Sequence, residues 1–161
     1  RQAHKIAGWG ENIYVKIPVT NTKGFSSSTL IKRLALNGIK LNITAVLTLE
    51  QVRIAHGALS SETPAIVSVF AGRIADTGRD PIPMMIDAKA ILADKPKTEL
   101  LWASCREVLN IIQADQSGCD IITANVDILS KLSKIDYDLE KFSLDTVRMF
   151  YEDAKNSKFT L

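Results

Sequence analysis

The sequence predicts an α/β fold of parallel strands, and more specifically part of a (β/α)8 TIM barrel. Short runs rich in Ile and Val alternate with segments of helical periodicity, which is typical of parallel strands joined by right-handed crossovers. Each strand-like run also has one apolar face and one face with polar groups toward its C-terminal end. A barrel produces that asymmetry, because one face packs on helices and the other lines the mouth where active sites lie.

The predicted elements follow one another in a regular order. Strands are expected at 12–18, 41–47, 65–70, 98–104 and 119–124. Helices are expected at 26–37, 48–58, 83–94, 106–116, 126–132 and 143–157, and the opening RQAHKIAGWG has the pattern of a helix tail. The serines at 26–28 provide an N-cap, Thr48 and Gln51 have the spacing of a capping box, and Gly38 and Gly118 are expected to end helices.

Side-chain alternation assigns the faces of the strands. The polar-bearing face is predicted to carry Tyr14, Lys16, Asn42, Thr44, Ser68, Phe70, Trp102 and Ser104. The apolar face is predicted to carry Ile13, Val15, Ile17, Leu41, Ile43, Ala45, Val67, Val69, Leu101 and Ala103. A doubly wound sheet would more often be apolar on both faces, and no G-x-G-x-x-G follows a strand, so the barrel is favoured over it. Trp102 is expected to fill the barrel core.

Five strands do not close a barrel of eight. We therefore expect this chain of 161 residues to form the C-terminal part of a single barrel domain, with three strands preceding Arg1.

Composition excludes several classes of function. The net charge is only +2 and no dense Lys/Arg run occurs, so nucleic-acid and membrane partners are not expected. The two cysteines, Cys105 and Cys119, match neither a disulfide scaffold nor a metal-ligand spacing, so no metal or cofactor is expected. A reducing, cytoplasmic setting is the default for such cysteine usage.

Lys16 is the first candidate for chemistry, because it stands in the apolar run NIYVKIPVT. In an apolar barrel mouth its amine would lose its proton readily and could attack a carbonyl to form a Schiff base. The alternative is a lysine whose apolar stem lies along a strand end while its charge stays in water.

Other polar residues fall at the same end of the strands. Asn42, Thr44 and Ser68 together could orient a polyol, although each of them taken singly is more typical of a structural polar group. Arg73 and Arg106 come just after strand ends and are expected at the same mouth. Ser104 and Arg106 suit an anion such as a sugar phosphate, and the alternative for each arginine is a pair with a nearby carboxylate. Asp76, Arg79 and Asp80 are interpreted as solvated turn residues.

Four motifs, taken together and in order, resemble the transaldolase family, particularly its short single-domain branch related to fructose-6-phosphate aldolase. They are VKIPVT around Lys16, GIKLNITAVLTLEQV at 38–52, SVFAGRI at 68–74 and WASCR at 102–106. GCDIIT at 118–123 and FSLDTVRMFYEDA at 142–154 are similar to the C-terminal part of that branch.

The resemblance implies a class I Schiff-base enzyme of carbohydrate metabolism, in the pentose phosphate pathway, with Lys16 as the catalytic lysine. It implies that Asn42 holds donor hydroxyls and Thr44 the catalytic water. It further implies that Ser68, Phe70 and Arg73 line the donor pocket and that Ser104 and Arg106 bind the phosphate. The implied substrates are sugar phosphates.

Phe70 separates two activities within the resemblance. Transaldolases carry Phe at the matching position, whereas the aldolase relatives carry Tyr, whose hydroxyl assists proton transfer to the enamine. Val69 departs from the Pro that is common before this Phe, and the catalytic Asp and its acidic partner are expected upstream of Arg1. An aldolase-type lyase and a non-catalytic sugar-phosphate-binding protein therefore stay open beside a transaldolase.

The resemblance also implies that the C-terminal helices pack on neighbouring subunits of a homo-oligomer. The apolar stripe Leu144, Val147, Phe150 and Tyr151 suits that role, and it equally suits docking on its own barrel.

Overall fold

A single sheet of five parallel strands, in the order β1-β2-β3-β4-β5, organises residues 1–125 of the computed structural model, which describes residues 1–157. The strands are β1 (Val15–Pro18), β2 (Leu41–Val46), β3 (Ala65–Val69), β4 (Thr98–Trp102) and β5 (Ile121–Ile122). Helices of this unit are α1 (Gln2–Ala7), α2 (Ser28–Leu36), α3 (Leu49–Ala58), α4 (Ala71–Ala75), α5 (Ile82–Leu92) and α6 (Leu109–Gln116). The alternation of parallel strands and helices confirms the predicted α/β class and fits part of a (β/α)8 barrel.

Local sequence signals set several helix ends. Thr48 Oγ1 accepts a hydrogen bond from the Gln51 N–H, and the Gln51 side chain accepts one from the Thr48 N–H, which confirms the capping box of α3. Gly38 and Gly118 both have φ of +73°, a conformation that glycine adopts without strain, and each follows a helix as expected. At α2 the N-cap residue is Ser27, while the Ser26 hydroxyl accepts from the Ser28 N–H.

The core lies on one face of the sheet, beneath the helices. Registered residues of parallel strands point to the same face, so Val15, Leu41 and Ala65 form one row, which is buried. α2, α3 and α5 cover this face, and apolar side chains such as Ile31, Val52 and Met85 are fully buried against it. The next row, with Lys16, Asn42 and Ile66, lies on the other face.

The faces that the sequence assigned to Leu101 and Trp102 of β4 are wrong, which is the first of two corrections. Leu101 is registered with Ser68, and Trp102 with Val69, so Trp102 belongs to the helix-covered face and does not fill the barrel interior. The strand was assigned one residue out of phase, because β4 is apolar at three successive positions, 100–102, and alternation alone cannot fix its faces. The structure also adds the short helix α4, which begins directly after β3, between the strand expected at 65–70 and the helix expected at 83–94.

Ala45 is the second correction, because it was expected on the apolar, helix-packed face. The pairing of β2 with β3 shifts register between Ile43 and Val46, which marks a β-bulge. Ala45 takes φ of +59° and is exposed, while Val46 is buried in its place. A bulge inserts a residue that alternation cannot anticipate.

The second unit, residues 126–161, contains α7 (Val126–Leu129), a 3-10 helix (Leu132–Lys134) and α8 (Leu139–Asn156). α8 begins earlier than the expected residue 143, because the Asp138 side chain caps it by accepting from the Lys141 N–H. Tyr137 packs edge to face on Phe142 with ring centroids 5.8 Å apart. The apolar stripe of α8 is exposed, and residues 158–161 lie outside the described part of the chain. Among residues 1–157, no helix has both the length and the apolar character needed to cross a membrane.

Candidate active site

Three of the expected site residues meet on the face of the sheet opposite the helix-covered core. Lys16 of β1 is registered with Asn42 of β2, so both side chains lie on that face. The Ser68 hydroxyl of β3 donates a hydrogen bond of 2.7 Å to Asn42 Oδ1. The fold therefore brings an amine, an amide and a hydroxyl from three consecutive strands together.

These residues differ sharply in burial. Ser68 is 2% exposed and Asn42 is half-buried, whereas Lys16 is exposed. β1 is an edge of the described sheet, so little protein covers the amine on that side. The expectation of an apolar setting for Lys16 is not met by the residues that the structure describes. An open cavity of about 530 Å³ beside Lys16 is lined by α1, β1 and α2, not by Asn42 or Ser68.

Thr44 contributes a buried hydroxyl to the same face. It follows Asn42 by two residues and is registered with Pro18 of β1. Its side-chain oxygen is buried and has no hydrogen-bond partner within residues 1–157. A buried hydroxyl without a partner is unusual and costly, so this oxygen is suited to binding a ligand group.

At the carboxyl end of β3, Phe70 and Arg73 form a contact of their own. Phe70 occupies the N-cap position of α4, and Arg73 lies one turn further along that helix. The Arg73 guanidinium carbon is 5.4 Å from the centre of the Phe70 ring, a cation–π distance. Arg73 is exposed, so its charge remains accessible to an anion.

At the carboxyl end of β4, Ser104 has a conformation that few residues other than glycine adopt. Its φ is +64°, in the left-handed region. The backbone of Ser104 lies against Gly72 of α4, where an ideal Cβ on residue 72 would be only 1.6 Å from the Ser104 carbonyl oxygen. Only glycine at position 72 permits this approach between α4 and the loop after β4.

Arg106 pairs with Asp76, the carboxylate that follows α4. Nη2 lies 2.5 Å from Oδ2 and Nε lies 3.3 Å from Oδ1, with both side chains about half exposed. Asp76 lies in the turn after α4 and is exposed, as the sequence predicted, and the structure adds its pairing with Arg106. Arg106 thus pairs with a nearby carboxylate, which was the alternative to anion binding in the sequence analysis. The two residues meet because the connections after β3 and β4 lie at the same end of the sheet.

Asn110 is a structural contributor to this loop that sequence reasoning missed. Its Oδ1 accepts from the backbone N–H of Arg106 at 2.8 Å and of Glu107 at 3.2 Å, and the residue is buried. An asparagine close to the start of a helix that follows a strand was the available signal.

The cysteines do not supply a reactive thiolate. Burial raises the pKa of the Cys105 thiol, and burial likewise raises the pKa of Cys119, so both stay protonated at neutral pH. Within residues 1–157 there is also no group of three His, Cys, Asp or Glu side chains placed to hold a metal ion.

Parallel strands with polar side chains on one face and cations at their carboxyl ends define an α/β protein of barrel type with its candidate site at that end. The chain belongs to the transaldolase/fructose-6-phosphate aldolase family, whose model matches residues 1–161. This confirms the resemblance drawn from the four motifs.

Curated relatives named "Probable transaldolase" support the same assignment. A protein of Nitrosopumilus maritimus is 30% identical over 156 residues, which are 96% of this chain and 66% of that protein. A protein of Caldicellulosiruptor saccharolyticus is 30% identical over 149 residues, covering 89% and 65%. One from Methanococcus maripaludis is 31% identical over 149 residues, covering 90% and 66%. The chain spans slightly less than two thirds of the length of these relatives.

Proposed function

We propose that the full-length protein is a transaldolase that transfers a dihydroxyacetone unit from a ketose phosphate to an aldose phosphate. The observation that carries the proposal is the placement of Lys16 in register with Asn42, whose amide oxygen is hydrogen-bonded to Ser68. An amine that becomes a nucleophile needs neighbours that orient the substrate carbonyl and hydroxyls. Family membership adds support, because the family's model matches residues 1–161, a range that includes these three positions.

The proposed chemistry uses Lys16 as an electron sink. Its neutral amine attacks the C2 ketone of the donor, and loss of water leaves an iminium. A general base takes the C4 hydroxyl proton, and the C3–C4 bond breaks, with its electron pair moving into the iminium to form an enamine. The same base returns a proton to the oxygen of the acceptor aldehyde when the new C–C bond forms. The aldose product departs, and the enamine then attacks the acceptor aldehyde; hydrolysis of the new iminium frees Lys16.

The neighbouring polar groups orient this reaction. Asn42 and Ser68 hold donor hydroxyls, and the buried Thr44 oxygen holds the water that is released and taken up again. We further propose that these five strands form part of a closed eight-stranded barrel, in which additional strands desolvate Lys16 beyond what the described sheet achieves.

Phosphate recognition is assigned to the carboxyl ends of β3 and β4. Arg73 and Arg106 are cations at neighbouring strand ends, and Ser104 precedes Arg106 by two residues. Guanidinium groups bind phosphate oxygens through charge-assisted hydrogen bonds. Sugar phosphates are therefore the proposed ligands.

Phe70 favours transfer over simple cleavage. A phenyl ring has no hydroxyl with which to protonate the enamine, so the intermediate survives until an acceptor arrives. An aldolase-type lyase and a non-catalytic sugar-phosphate-binding protein are the other outcomes that the experiment must distinguish.

Borohydride trapping tests the proposal. The full-length protein incubated with fructose 6-phosphate and then reduced should carry a covalent three-carbon or six-carbon adduct on Lys16, located by peptide mass spectrometry. Lys16→Ala should abolish the adduct, whereas Lys23→Ala, which removes an exposed lysine from the connection after β1, should retain it.

A coupled assay then separates the activities. Turnover that requires erythrose 4-phosphate supports the transaldolase, and release of dihydroxyacetone without an acceptor indicates the lyase. Binding of the sugar phosphate without trapping or turnover would indicate the non-catalytic protein and contradict the proposal.

A further inference from the structure

The Asp76–Arg106 contact has the geometry of a side-on pair. Asp76 contacts Nε through Oδ1 at 3.3 Å and Nη2 through Oδ2 at 2.5 Å, so its two oxygens engage one edge of the guanidinium. The group carries five N–H donors in a fixed plane. A carboxylate on the Nε/Nη2 edge leaves both N–H bonds of Nη1 and the second N–H bond of Nη2 for another acceptor. The free N–H of Nη2 and the neighbouring N–H of Nη1 form the end-on edge, which suits two oxygens of a phosphate.

The same short helix holds the loop after β4 at two points. Gly72, in α4, has no Cβ, and the Ser104 carbonyl therefore packs directly against it. Asp76, which follows α4, forms an ion pair with the side chain of Arg106. Asn110 meanwhile accepts hydrogen bonds from the Arg106 and Glu107 backbone. Backbone and guanidinium of Arg106 are thus held from different directions.

We propose that Asp76 is a positioning residue for recognition of phosphate esters, acting through Arg106. It fixes the guanidinium plane so that the end-on edge is presented to the substrate, and it thereby selects phosphorylated sugars over the same sugars without phosphate. This inference rests on the proposed function, in which Arg106 binds the phosphate.

Because the Asp76–Arg106 pair is half exposed, its loss should affect substrate selectivity more than folding stability. Exposed ion pairs contribute little to folding stability, so loss of this one should leave the unfolding temperature almost unchanged. Holding a flexible arginine in one orientation instead lowers the entropy lost when the phosphate binds. The consequence should appear in substrate selectivity.

Electrostatic repulsion between the Asp76 carboxylate and the phosphate would change the affinity in the opposite direction from positioning, so the two roles can be distinguished. A carboxylate near a phosphate repels it, so a purely electrostatic role predicts tighter binding of phosphate esters once Asp76 is neutralised. A positioning role predicts weaker binding. The direction of the change therefore decides between them.

The experiment compares kcat and KM for fructose 6-phosphate and for fructose in the full-length protein. For Asp76→Asn, KM for the phosphate ester should rise about fivefold, which corresponds to about 1 kcal/mol, with kcat and the fructose values unchanged. Asp76→Glu keeps a carboxylate and should restore most of the selectivity. Glu62→Gln is the matched control, because it removes an exposed ion pair with Lys97 elsewhere in the same unit.

The outcomes separate the two proposals. If wild type traps on Lys16 but Asp76→Asn leaves the selectivity unchanged or increases it, the positioning role is overturned and the proposed function stands. An equal loss on both sugars would also overturn it, since that indicates general structural damage. If wild type forms no adduct on Lys16, the proposed function and the inference that depends on it both fail.

Discussion

Substitution of Gly72 by alanine should destabilise the protein strongly. A Cβ built on Gly72 would lie 1.6 Å from the Ser104 carbonyl oxygen and 2.7 Å from its carbonyl carbon, so a backbone would have to move. Ser104 is already in the left-handed region with φ of +64°, which leaves its loop little freedom to adjust. Overpacking of this severity costs about 3 kcal/mol. For a protein of this size that corresponds to a fall in melting temperature of roughly 6–12 °C.

Differential scanning calorimetry or urea unfolding of the full-length protein measures this change. Gly57→Ala is the matched control, because position 57 lies in α3 and an added Cβ there meets no atom of residues 1–157 within 4 Å. Replacing a helical glycine with alanine should stabilise the protein by about 0.5–1 kcal/mol. If Gly72→Ala unfolds at the wild-type temperature, the close packing of α4 on the loop after β4 is not as the structure describes.

Two further predictions concern other parts of the chain. The hydrogen bond from His56 lowers the pKa of the Asp94 carboxyl from its ordinary 3.8, so the stability it adds is complete above pH 3.8 and is lost as the pH falls through the folded value. Carboxyl-carbon NMR should place the Asp94 midpoint below 3.8 and return it there in His56→Ala; an unshifted wild-type midpoint would contradict the contact. We also propose that the exposed apolar stripe of α8 packs on a second copy of this chain. Light scattering should then show a smaller assembly for Phe150→Glu and an unchanged one for Glu152→Gln, whereas a monomeric wild type would refute the role.

The sequence alone determined the order and type of most elements. Apolar periodicity and end signals such as the Thr48–Gln51 box are local, since they act between residues a few positions apart. Alternation of side chains along the strands predicted that Lys16, Asn42 and Ser68 share one face. The register of β1 with β2 and the hydrogen bond from Ser68 to Asn42 agree with that prediction. The motif resemblance found the family, which the family match confirms.

The tertiary structure alone decided the features that depend on contacts between distant segments. The phase of β4 could not be read from three consecutive apolar residues, and the bulge at Ala45 arises from pairing with β3. Asp76 and Arg106 are thirty residues apart, and they meet because the ends of parallel strands converge at one edge of the sheet. Side-chain periodicity depends on residues that are close together in the sequence. Strand register and ion pairing depend instead on how one strand-helix unit packs on the next.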